Sequence, residues 1–196
     1  MPEFKTPGVY IEEIPSGTRP IEAVSSSVLG IVGVTMAGPV FEPTKVTSWQ
    51  AFIDVFGRTD PGSFTAEALW GFFHNGGSEA WVVKVPHPTV PDGIPEARTH
   101  DPDAVLARVL VEGIESLGSS SPVDLLICPD MLMIQDDQHV SSVIGAMTRF
   151  AESNLRFAIV DLPPMSDDQA LVDWRLEHVT SAFAAAYAPH TEIVHL

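Results

Sequence analysis

The stretch VDLLICPDMLMIQDDQHVSSVIGAMTRFAESNLRFAIVDLP, Val123 to Pro163, changes its apolar pattern twice. Its first seven residues, VDLLICP, are an apolar run closed by proline, too short for a helix and suited to a buried strand. QHVSSVIGAMTRFAE, 138–152, then has the spacing of an amphipathic helix. RFAIVDLP, 156–163, returns to a strand. Strand, helix and strand in succession define an α/β sheet with helices packed on its faces.

The same alternation extends outward in both directions. Upstream, VLGIVGV (28–34) reads as a buried strand and SWQAFIDVF (48–56) as a helix, with Thr47 as N-cap and Gln50 three residues on in the manner of a capping box. TAEALWGFF (65–73) is a second helix that stops at HNGG, where Asn75, Gly76 and Gly77 tolerate left-handed backbone. AWVVKV (80–85) is the next strand, and the proline-rich 86–102 a loop. Asp101 and Pro102 supply an N-cap and first position for a helix over 103–117, whose Leu106, Val109, Leu110, Ile114 and Leu117 share one face. Downstream, DDQALVDWRLEHV (167–179) is a further helix. The tail TSAFAAAYAPHTEIVHL is open between helix and strand.

With 196 residues, 45% hydrophobic and 18% charged, the chain is long and apolar enough to bury a core. Its net charge of −16 repels phosphate backbones and anionic headgroups, which argues against nucleic acid as a partner and against membrane insertion. It predicts instead salt-sensitive contacts with a complementary partner. No apolar run approaches the roughly 20 residues of a membrane helix, and the start MPEFKTPG lacks a signal-peptide core. The single cysteine, Cys128, lies within the apolar run as a small buried hydrophobe, which suits assembly in the cytoplasm.

Little in the chain speaks for catalysis. Neither G-x-x-x-x-G-K-[ST] nor G-x-G-x-x-G is present, and there is no G-x-S-x-G elbow. The seven histidines, 74, 87, 100, 139, 178, 190 and 195, lack metal-ligand spacing. Tryptophans 49, 70, 81 and 174 are packing residues, and Asp173 to Arg175 a surface or packing feature. One pattern admits chemistry: Asp130 and Asp161 each follow a strand, where ligands bind in open α/β sheets, so a Mg²⁺-dependent hydrolase is the rival reading, set against two acids that merely turn the chain. A small-molecule binding module rests on fold analogy alone.

The N-terminus poses a separate question. TPGVYIEEIP, Thr6 to Pro15, reads as a strand with no local partner, since SGTRPIEAVSSS follows as linker. From the residues alone, it folds back on its own sheet or stays disordered. Yet TPGVYIEEI, AVSSSVLGIVGVTMAGP, VTSWQAFIDVFG, GFFHNGGSEAWVVKV, VEGIESL with VDLLICPDM, RFAIVDLPP, VDWR and AFAAAYAP, in that order, resemble the tail sheath proteins of contractile phage tails and related injection systems.

The resemblance implies an arm and linker, 1–27, ahead of an α/β sheath domain, 28–196, with the family's further C-terminal domain absent from this chain. In this mixed sheet with helices on its faces, Gly8, Val9, Tyr10, Ile11, Glu12, Glu13 and Ile14 would form a strand added to a neighbouring subunit's sheet. Pro15, Ser16 and Gly17 would be its hinge. It implies a non-enzymatic structural subunit without cofactors, whose partners are copies of itself in a helical sheath, an inner tube protein, and baseplate or cap proteins. The particle would be a phage tail or a phage-tail-like assembly.

Overall fold

The computed structural model describes residues 28–58, 60–87, 101–118, 121–165 and 167–188. Six strands form one sheet in the order β2-β3-β1-β4-β5-β6. They are β1 Leu29–Val34, β2 Thr44–Val46, β3 Ala80–Val85, β4 Leu125–Ile127, β5 Phe157–Asp161 and β6 Ala184–Tyr187. All neighbours are parallel except β2 and β3, which run antiparallel with Lys45 opposite Trp81. The expected mixed α/β sheet is therefore present, with helices α1 Trp49–Phe56, α2 Thr65–His74, α3 Pro102–Ser116, α4 Asp137–Asn154 and α5 Asp168–His178.

Alternation along the central strands divides the apolar residues between two cores. Leu29 and Ile31 of β1 and Ala80 and Val82 of β3 pack with Phe52, Phe56, Ala66 and Leu69 of α1 and α2. Val32, Val34, Val83 and Val85 pack with the apolar stripes of α3 and α4. Being buried on both faces, these strands read as continuous apolar runs, which is why the sequence marks them clearly. α3 approaches closely because Gly113 faces the sheet: a Cβ there would lie 2.6 Å from Val32 Cγ1.

The helix ends follow local chemistry. Asp101 caps α3 by accepting from the Asp103 N–H, and Asp136 caps α4 by accepting from Gln138 and His139. At α1 the cap is Ser48, whose hydroxyl accepts from Ala51, rather than Thr47; Gln50 turns to Asp54 instead of closing a capping box. α2 stops at HNGG as expected, with Gly76 left-handed and the Gly77 N–H bonded to the Phe72 carbonyl.

Two elements depart from the sequence reading. VDLLICP supplies only three paired residues before the chain tightens into a 3-10 turn, Pro129–Met133. β2 has no counterpart in the sequence reading, and within the ambiguous tail Ala184–Tyr187 form strand β6, parallel to β5. Among the described residues no helix is long and apolar enough to cross a membrane.

α4 ends on Leu155, which is left-handed (φ 52°) and 82% exposed. A non-glycine residue there carries a steric cost of roughly 1 kcal/mol with no burial in return. Leu155→Gly is expected to raise stability by up to about 0.5 kcal/mol, because relief of that cost slightly exceeds the added freedom of the unfolded chain. Urea unfolding monitored by circular dichroism checks it; a loss of stability contradicts this account of the helix end.

Candidate functional site

The strand proposed for donation, Gly8 to Ile14, and the hinge, Pro15 to Gly17, lie outside the described residues. The acids proposed for metal binding lie within them. β4 and β5 are adjacent and parallel, so the condition for bringing Asp130 and Asp161 together is met in the sheet. The two residues are nonetheless placed differently. Asp161 is the last residue of β5, paired in register with Tyr187 of β6. Asp130 sits in the 3-10 turn after β4 and reaches the other way, toward β1 and α2.

Asp130 is fully buried, at 0% exposure. Its Oδ2 accepts the Val34 N–H at 2.6 Å and the Thr65 hydroxyl at 2.9 Å, and its Oδ1 accepts the Phe64 N–H at 2.6 Å. Ser63 Oγ is 3.0 Å from Oδ2 and 2.8 Å from the Val34 carbonyl oxygen, and accepts from the Thr65 N–H. A hydroxyl has one proton to donate. If Ser63 gives it to Val34, its short contact with Asp130 is satisfied by a proton on the carboxyl, which then donates to Ser63 Oγ. Burial pushes the Asp130 carboxyl above its usual range, in the same direction, while the Val34, Phe64, Thr65 and Ser63 donors pull it back.

The bracket needs room, and Gly33 provides it. A Cβ on Gly33 would stand 1.9 Å from Thr65 Oγ1 and 2.7 Å from Asp130 Oδ2. One side chain thus ties the ends of β1 and β4 to the start of α2.

This position matters for function because of the topology. From β1 the chain passes to β3 on one flank and later to β4 on the other, so the crevice beyond the carboxyl ends of β1 and β4 is the switch point where open α/β sheets hold ligands. Here Asp130, Ser63 and Thr65 fill it. The hydrolase reading is not supported: the Asp130 carboxyl is enclosed by groups of its own chain, and the residue lies in a 3-10 turn, as the turn reading expects. Among the described residues no group of three or more His, Cys, Asp or Glu side chains converges as a metal site.

Cys128, beside the bracket, is buried as expected, and burial pushes its thiol far up, which leaves it unreactive. Beyond β4 and β5 lies a hollow of about 220 Å³ lined mainly by apolar groups, among them Met131, Ile134, Val140, Met165 and Trp174.

The sheet edges complete the site. β2 is three residues long and carries Lys45, paired with Glu79 at 2.7 Å, so it is a poor template for a further strand. β6 is Ala-Ala-Ala-Tyr, pairs only with β5 among the described residues, and leaves Tyr187 60% exposed. It carries no charge and no proline.

The sequence reading missed the Asp130 bracket because its partners are 65 to 96 positions away in the chain. A signal was available: an acid between Cys128-Pro129 and Met131-Leu132-Met133 lies in apolar surroundings, where a carboxylate is seldom buried without partners.

The fold resembles that of a chain in a solved contractile assembly. Over 94% of its length the chain is similar to a chain in the contracted baseplate of the anti-feeding prophage, with a TM-score of 0.59 and 21% identity. It is also similar, at a TM-score of 0.49 and 18% identity over 96% of its length, to a chain in the contracted sheath complex of the extracellular contractile injection system PVC. It spans about half of those chains, 47% and 45%. No family model matches the sequence, and no curated protein does.

Replacement of Asp130 tests the bracket. Asn offers one oxygen to two backbone N–H groups, so Asp130→Asn is expected to cost about 1–3 kcal/mol, and Asp130→Ala about 3–5 kcal/mol. A carboxyl whose folded value lies above its unfolded one holds its proton more tightly in the fold. Its contribution is therefore full below the unfolded value, about 4, and declines as pH rises through the folded value. The stability gap between wild type and Asp130→Asn should narrow as pH rises from about 4. Denaturant titrations across pH check this, and a gap that widens overturns the assignment.

Proposed function

We propose that the chain is a non-enzymatic structural subunit of a contractile tail sheath, which polymerises helically around an inner tube and contracts to drive that tube through a target envelope. The observation that carries the reading is the likeness in fold, over 94% of the chain, to a chain of the contracted anti-feeding prophage baseplate. The ordered set of sheath-like motifs in the sequence supports it. So does the filled switch-point crevice, since a scaffold that moves as a unit gains from a locked centre and needs no ligand there.

In this reading Gly8 to Ile14 form a strand donated to a neighbouring copy, held by main-chain hydrogen bonds that tolerate rotation of one subunit against the next. Pro15, Ser16 and Gly17 take up the change in direction between an extended and a contracted arrangement. Head-to-tail contacts of this kind do not close and so generate a helix. The remaining partners are the inner tube and the baseplate or cap proteins at the ends, in a particle assembled in the cytoplasm. Contraction draws on the difference in free energy between two packings of the same subunits, with no nucleotide or cofactor consumed.

Negative-stain microscopy of the concentrated full chain is expected to show rings, tubes or large polymers. Deleting residues 1–20 should abolish them while shifting the thermal unfolding of the monomer by less than about 2 °C, since the arm belongs to the neighbour in the assembly. Unchanged assembly after deletion, or a monomer that loses its cooperative unfolding, overturns the proposal.

A further inference from the structure

Two helices carry the same Trp-x-x-x-His motif near their C-termini, and the structure treats the two copies differently. In α2 the His74 ring stacks on Trp70 with centroids 4.0 Å apart, and its Nδ1 lies 2.9 Å from the Trp70 carbonyl oxygen. In α5 the His178 ring stacks on Trp174 at 4.3 Å, with Nδ1 2.8 Å from the Trp174 carbonyl oxygen. His74 is on an exposed helix end, whereas the His178 side chain is 2% exposed and its Nε2 lies 3.1 Å from Asp137 Oδ2 in the first turn of α4.

A carbonyl oxygen and a carboxylate both only accept hydrogen bonds. Each ring nitrogen of His178 faces one of them, so both contacts are satisfied together only when both nitrogens carry protons. A ring protonated on Nδ1 alone would set its Nε2 lone pair against the Asp137 carboxylate. The other charged groups around the ring are otherwise engaged: Asp136 caps α4, and His139 turns to Asp101 at 3.3 Å. Asp173, Arg175 and Glu177 of α5 are exposed, and the adjoining wall of Pro163 and Met165 is uncharged.

α5 has few other attachments. Trp174 is its one buried residue, with Leu171 packed in part, while Val172 and Leu176 face solvent. We infer that His178 is a proton-dependent latch, which pins α5 to the start of α4 when its ring is doubly protonated and releases the helix when the Nε2 proton is lost. Asp137, 63% exposed on its side chain, is the latch's other half.

Hydrogen exchange of the full chain, corrected for intrinsic rates, tests this. Amide protection in α5 is expected to fall roughly tenfold between about pH 5.5 and 8.5, as one charge-assisted hydrogen bond is lost, while that of β1 and β3 stays constant. His178→Gln and Asp137→Asn should each abolish the pH dependence, and His74→Gln should leave it intact. Protection independent of pH in the wild type, or dependence that survives His178→Gln or Asp137→Asn, overturns the inference. Should a variant fail to fold, the wild type still decides: nitrogen chemical shifts of His178 should show both ring nitrogens protonated at about pH 5.5 and Nδ1 alone at about pH 8.5. An unprotonated Nε2 at the lower pH overturns it.

Discussion

A carboxyl group with no solvent around it is the constraint on which the middle of this molecule depends. Asp130 is held by two backbone N–H groups and two hydroxyls drawn from β1 and the entry to α2. Hydrogen bonds of this kind contribute modestly when made and cost much more when one partner is taken away. The consequence is positional. The ends of two central strands and the start of a helix are fixed to one another by groups that tolerate little displacement, and Gly33 is the residue type that leaves space for the arrangement.

The two cores act on the same strands from opposite sides. α1 and α2 cover one set of alternate residues in β1 and β3, and α3 with α4 covers the other. Close packing on both faces resists bending, because any shift of one layer opens voids in the other. The periphery is different. α5 rests on Trp174 and the His178 contact, and β6 is built mostly from alanine. Close packing is therefore concentrated at β1, β3 and β4, and is sparser at the β6 end.

The elements buried on two faces were legible in the sequence, since VLGIVGV and AWVVKV are apolar throughout and cannot be mistaken for linker. Helix α3 was equally plain, from the Asp101-Pro102 start and its five-residue apolar face. β2 was not legible: three residues, Thr-Lys-Val, pair only with β3 and carry no periodicity of their own. The change from Thr47 to Ser48 at α1 reflects two adjacent residues with equal capping chemistry, separated only by backbone direction. Asp130 was noticed as chemistry at a strand end, but its bonds to Ser63, Phe64, Thr65 and Val34 depend on the sheet order, which the linear chain does not carry. The donated strand rests on resemblance, and no geometry in the described residues bears on it.

The two borders of the sheet are unlike. β2 is short and carries a charge paired to β3's approach, while β6 presents a plain main chain with small side chains beside it. Among the described residues, β6 is therefore the better place for an extended segment to register, and β2 the poorer one. Small alanine side chains let a neighbouring backbone approach this border closely, so side chains on the incoming segment, more than those of β6, would set its register.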